Sequence, residues 1–128
     1  MKYLCLAYYD PGKFAAMAPA DVQALVSQCP AKDAELKRTG RLVVSASLEG
    51  PQAAFAVRPR GGKAQVTDGP YAEAMEVVGG WSLMEYPSLE EAVADQALFA
   101  ELHAKYWPEV TVISTMRQIS EGPDAPGN

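Results

Sequence analysis

One histidine and two cysteines are all that the 128 residues offer of the side chains that most often hold transition metals. His103, Cys5 and Cys29 fall into no ligand spacing, so neither a metal site nor any other cofactor is expected. Positive charge is scarce as well. Eleven Lys and Arg against sixteen Asp and Glu give a net charge of −5, and the one local basic cluster, Arg58, Arg60 and Lys63, sits at a hairpin end. A nucleic-acid backbone needs a basic face, so direct nucleic-acid binding is excluded. Long apolar runs are missing too. The run that ends at Tyr9 is cut by Asp10-Pro11-Gly12, too short for a signal peptide or a membrane span, and a cytoplasmic protein is expected. There is no phosphate-cradling glycine loop, since Gly61-Gly62 reads as a hairpin turn.

What is present is an ordinary globular composition, 48% hydrophobic and 21% charged. The length suits a single domain, placed at 1–119, followed by a Gly/Pro-rich tail at 120–128 that reads as flexible. Lys2 to Tyr9 forms a first strand. The stripe Val22, Leu25, Val26, Cys29, Leu36 predicts a helix from Pro19 to Thr39, kinked or broken at Pro30 and stopped by Gly40. Leu42 to Leu48 is a second strand, and Ala53–Arg58 with Lys63–Thr67 makes a hairpin. A strand over Gly80–Tyr86 follows. Ser88 and Glu91 form a capping box that opens a helix reaching His103 or Tyr106, with Leu89, Ala92, Val93, Ala97 and Ala100 turned inward. Val110–Arg117 is the last strand. Both cysteines read as buried free thiols.

That order is βαββαβ with an inserted hairpin: an α+β, ferredoxin-like antiparallel sheet with helices on one face. Its strands are apolar on both parities, however. Tyr3, Cys5, Ala7 and Tyr9 alternate with Leu4, Leu6 and Tyr8, and Trp81 and Leu83 with Met84 and Tyr86. A sheet covered on one face should be polar on the other. Both helices are needed on the first face, so a second copy of the chain is the expected cover, giving a homodimer joined through sheet faces.

Chemistry concentrates at Thr67-Asp68-Gly69-Pro70-Tyr71-Ala72-Glu73, followed by Gly79-Gly80-Trp81. Gly69 admits backbone angles closed to other residues and Pro70 fixes its own φ, so Asp68 is held at a stiff corner. A held carboxylate can anchor a ligand or move a proton, with Glu73 as a second. The plainer reading makes Asp68 an Asx turn, Pro70 a first helical residue and Gly79-Gly80 a helix stop. Tyr8, Tyr9, Tyr71, Trp81 and Tyr86 gather around the motif as walls of a pocket for a flat ligand, or equally as a dimer interface. Ser45, Ser47 and Ser82 hint at a polar-lined cleft, without a base that would make one of them a nucleophile. His103, near a helix end beside Trp107, reads as a packing or capping residue before a catalytic one.

Asp68 to Glu73 and Gly79 to Glu85 resemble the signature of the YCII-related proteins, in particular their DGPF subgroup. Met1 to Asp10 and Val57 to Thr67 are similar too, so the likeness spans about residues 1 to 95. The resemblance implies a dimeric α/β barrel, a histidine–aspartate pair in a cleft by the sheet, and dehalogenating or lyase-type activity in some members. Asp68 matches the aspartate, but no histidine follows the first strand, so the dyad does not carry over. Two expectations result. One is a homodimer binding a small organic molecule beside the Asp-Gly-Pro loop, with Asp68 and Glu73 available for cofactor-free acid–base chemistry of lyase or hydrolase type, and with Gly69, Pro70, Tyr71, Trp81, Tyr8 and Ser45 around the ligand. The other is a non-enzymatic accessory protein acting through protein contacts; the subgroup's association with extracytoplasmic-function sigma factors implies that link.

Overall fold

The computed structural model describes residues 1–69 and 76–120. Strand β1 (Lys2–Tyr9) lies inside a four-stranded sheet, with β5 (Val77–Glu85) on one side and β6 (Ile113–Gln118) on the other; β2 (Leu42–Ser47) lies beyond β5. Every neighbouring pair in the sheet is antiparallel. β1 and β2 are consecutive strands with β5 between them, the split βαβ arrangement of the ferredoxin-like fold. Strands β3 (Phe55–Arg60) and β4 (Lys63–Asp68) form a separate two-stranded sheet. Gly61 and Gly62 turn it with φ of 60° and 79°, the left-handed pair that suits the twist of a tight hairpin.

The helical layer takes the broken form of the two expected at Pro30 and gains a short helix before it. Asp10-Pro11-Gly12 starts a short helix, α1 (Pro11–Ala15), instead of closing a turn. The Asp10 carboxylate accepts from the amides of Gly12 at 2.9 Å and Lys13 at 3.3 Å, and Pro11 takes the first helical position, where its missing N–H costs nothing. The break at Pro30 is complete. α2 (Pro19–Val26) and α3 (Cys29–Arg38) are separate, and Pro30 lies in the first turn of α3. Gly40, at φ 79°, ends α3 while the Arg41 amide donates back to the Leu36 carbonyl at 3.0 Å.

α4 (Leu89–Tyr106) is capped by Ser88, whose hydroxyl accepts from the Glu91 amide at 3.2 Å; the Glu91 carboxylate meets Arg41 at 3.6 Å. β5 begins at Val77 rather than Gly80. β6 begins at Ile113 rather than Val110, which is instead buried beneath a turn closed on Trp107.

The packed core is small and lies toward one end of the sheet. Tyr3, Cys5, Leu42, Met84, Tyr86 and Ala92 are buried together, with Leu36 and Met116 against them. Register explains the grouping, since Tyr3 pairs with Met84, Met84 with Leu42 and Cys5 with Met116, all on the helix-facing side. Two sequence expectations fail here. Leu89, Val93 and Ala97 face solvent, while Ala92 and Asp95 are buried, so α4 presents a mixed polar face inward. Cys29 is exposed, not buried, because the apolar stripe does not continue into α3 once the helix breaks.

The two thiols should therefore differ sharply toward a bulky disulfide reagent. Burial raises both thiol pKa values, but Cys5 is closed off from the reagent, so Cys29 should react first and Cys5 only as the protein unfolds. Absorbance at one thiol equivalent in native protein, lost in Cys29→Ser, is the expected result.

Candidate functional site

Beyond the core, sheet and helices part around a cavity of about 900 Å³. Its floor is the helix-facing side of the sheet, where residues are small: Ala7 pairs with Gly80 and Ser114, and Ser82 pairs with Ser45. Gly79-Gly80 makes this possible through packing. A Cβ on Gly79 would meet the Tyr9 ring at 2.5 Å, and one on Gly80 would meet the Ala46 carbonyl oxygen at 3.2 Å. The roof is α4, which contributes Asp95, Gln96, Phe99 and His103. These follow the three- and four-residue spacing of one helix face, and that face is what turns inward.

A directional hydrogen-bond chain crosses the deep end. The Ser114 hydroxyl donates to Gln96 Oε1 at 2.5 Å, Gln96 Nε2 donates to the Tyr86 hydroxyl at 3.1 Å, and that hydroxyl donates to the Asp95 carboxylate. Lys32 Nζ lies 3.9 Å from the other Asp95 oxygen. Each polar group in this set has a partner, which is what allows a carboxylate to be buried here at all. Tyr86 is wholly buried, and burial, reinforced by its bond to Asp95, pushes its phenol far up, so it stays a donor.

The opposite end is aromatic. Tyr9 meets Phe14 edge-on with ring centroids 5.6 Å apart, Phe14 meets Trp107 at 5.3 Å, Trp107 meets His103 at 5.4 Å, and His103 meets Phe99 at 4.2 Å. Trp107 is anchored by its indole N–H, which donates to the Asp21 carbonyl of α2 at 3.0 Å. His103 Nδ1 lies 2.8 Å from the Phe99 carbonyl oxygen. Burial lowers the imidazole pKa more than this bond raises it, so the ring is neutral at neutral pH.

Of the residues singled out from the sequence, Ser45 lines the cavity. Tyr8 and Trp81 border it, but strand alternation carries their rings to the opposite face of the sheet, with Leu4, Leu6 and Leu83. Asp68 is exposed at the end of β4, paired with Phe55, and does not line the cavity. Gly69 has φ 87° and donates its amide to the Ala54 carbonyl at 2.7 Å. Pro70, Tyr71 and Glu73 lie outside the described residues. Sequence reasoning missed Ser114, Asp95, Gln96 and Phe14. The available signal was Asp95, Phe99 and His103 at successive four-residue steps, a polar–aromatic stripe beside the apolar one.

His103 carries a pH signature. Its folded pKa lies below the unfolded value of 6.5, so the protonated form favours unfolding. Its contribution is complete above that value and is lost as pH falls through the folded pKa. Urea denaturation at about pH 7.5 and about pH 5 should show wild type losing more stability than His103→Phe on acidification. Asp33, Asp95 and Lys32 also line the cavity, but they are common to both proteins and cancel in the comparison.

No helix among the described residues is long and apolar enough to cross a membrane. No curated protein matches the chain. The model of the YCII-related domain matches residues 1–113, nearly the whole of the described sequence, and the chain belongs to the YCII-related family.

Proposed function

We propose that this protein is a cytoplasmic homodimer of the DGPF type that binds a small organic molecule between its sheet and its helices. The cavity is the observation that carries this reading. Half-open to solvent and about 900 Å³ in volume, it lies within the range of ligand sites. Its lining has the matching character, apolar and aromatic walls with a few placed polar groups.

The dimer is supported by the other side of the sheet. Leu4, Val44 and Ile113 are each more than two-fifths exposed, and register places them on the face away from the helices. Leu6, Tyr8 and Trp81 share that face. Acid–base chemistry at Asp68, with Glu73, is the further step of this proposal. Because Asp68 does not line the cavity, such chemistry would act on a molecule held at the Asp-Gly-Pro corner, and ligand binding in the cavity stands independently of it. Such chemistry would be cofactor-free, of lyase or hydrolase type.

A second reading is favoured by the hairpin. Phe55, Val57 and Val66 lie on one of its faces at 58–68% exposure, which suits a protein contact of an accessory or regulatory partner linked to a sigma factor.

A thermal-shift screen of aromatic acids, phenols and lactones separates these readings, because a ligand of the native state raises the midpoint by mass action. Wild type should be stabilised by at least one class, and Ser45→Trp, which fills the cavity floor, should lose that response while remaining folded. A response that survives Ser45→Trp would place the ligand elsewhere. Asp68→Asn reads the corner separately: binding in the cavity should be retained, and lost binding in a folded variant would contradict a ligand held apart from Asp68.

A further inference from the structure

We infer that His103 is the polar anchor of the cavity, and that its ligand is a neutral planar molecule with a weakly acidic hydroxyl, of phenol or enol type. The inference rests on the cavity being the binding site, as proposed above. It begins with a tautomer. A carbonyl oxygen only accepts hydrogen bonds, so Nδ1, at 2.8 Å from the Phe99 carbonyl, carries the proton of the neutral ring. Nε2 is then an acceptor, and among the described residues it has no hydrogen-bond partner. With Nδ1 turned back on its own helix, the Nε2 edge is the part of the ring left to line the cavity.

The surroundings decide what that acceptor takes. Phe99 and Trp107 hold the imidazole between them, and Phe14 continues the aromatic wall. Flat rings pack well against such a wall, in stacked or edge-on arrangements. Charge argues against an anion. Lys32 is the one cation on the cavity wall among the described residues, and Asp95 already faces it. A carboxylate ligand would therefore be desolvated with no unshared positive partner. A ligand without a donor would leave Nε2 unpaired in an apolar site, also at a cost. A hydroxyl on an aromatic or conjugated frame satisfies each condition, and the more acidic it is, the stronger its bond to a neutral imidazole. Burial lowers the imidazole pKa, so at neutral pH the ring is neutral while such a hydroxyl still carries its proton.

The test uses 4-cyanophenol and its methyl ether at neutral pH, with wild type and His103→Phe, binding being read by titration calorimetry. Wild type should prefer the phenol by about tenfold or more, because a site built around a hydrogen bond rejects the analogue that lacks the donor. His103→Phe keeps an aromatic ring but no acceptor, and should bind the two equally. Equal binding of phenol and ether by wild type would overturn the anchor and leave the cavity reading standing. Absence of binding of either compound to wild type would remove both. Long-range ¹H–¹⁵N NMR of the wild-type imidazole needs no variant. It should show Nδ1 protonated and Nε2 bare, with the Nε2 signal moving toward its hydrogen-bonded position as 4-cyanophenol is added and not with the ether. A protonated Nε2 in the free protein would refute the assignment.

Discussion

The structure depends on one polar chain, from half-buried Ser114 and Gln96 through buried Tyr86 and Asp95 to Lys32. It joins β6, α4, the segment after β5 and α3, so it ties α3 and α4 to the sheet. An apolar contact between these elements would close sheet and helices onto each other, as burial of apolar area favours. A hydrogen-bond chain instead fixes the separation at the length of its side chains, and every link must be in place because each unpaired buried group would cost about 1–3 kcal/mol. Core packing on one side of this chain and open volume on the other follow from that constraint.

The two faces of the sheet then serve different ends. On the helix side, small residues in register, Ala7, Gly80, Ser82, Ser45 and Ser114, leave room. On the other side Leu4, Leu6, Trp81 and Val44 fill the surface with apolar bulk, which we propose a second copy covers. Period-two alternation assigns both properties to the same strands. The doubled apolar parity that suggested a dimer and the serines that suggested a cleft are therefore two readings of a single pattern.

Much of the fold was legible. The Ser88 cap, the break at Pro30, the Gly61-Gly62 turn and the split βαβ order each rest on local chemistry that tertiary contacts leave intact. The site was legible only in part. Counting apolar residues on α4 put Leu89, Val93 and Ala97 inside, since hydrophobic periodicity assumes that the inward face meets a core. Here it meets a cavity; Asp95 and Gln96 turn inward to hydrogen-bond partners, and His103 packs against Phe99 and Trp107. Cys29 misled for a related reason: one stripe was drawn across a helix that breaks. Gly69 takes the left-handed φ that only glycine adopts readily, but that does not reveal what the neighbouring Asp68 carboxylate faces.

The most direct test of this division of labour is ¹⁹F NMR of protein labelled with 5-fluorotryptophan, since the chain has two tryptophans and they report on opposite faces. Trp107 belongs to the aromatic wall of the cavity, and Trp81 to the far side of the sheet. A bound small molecule should shift the Trp107 resonance saturably and leave Trp81 nearly still, whereas dilution that dissociates the proposed dimer should move Trp81 and spare Trp107. A ligand that shifts Trp81 alone, or dilution that moves only Trp107, would contradict that division.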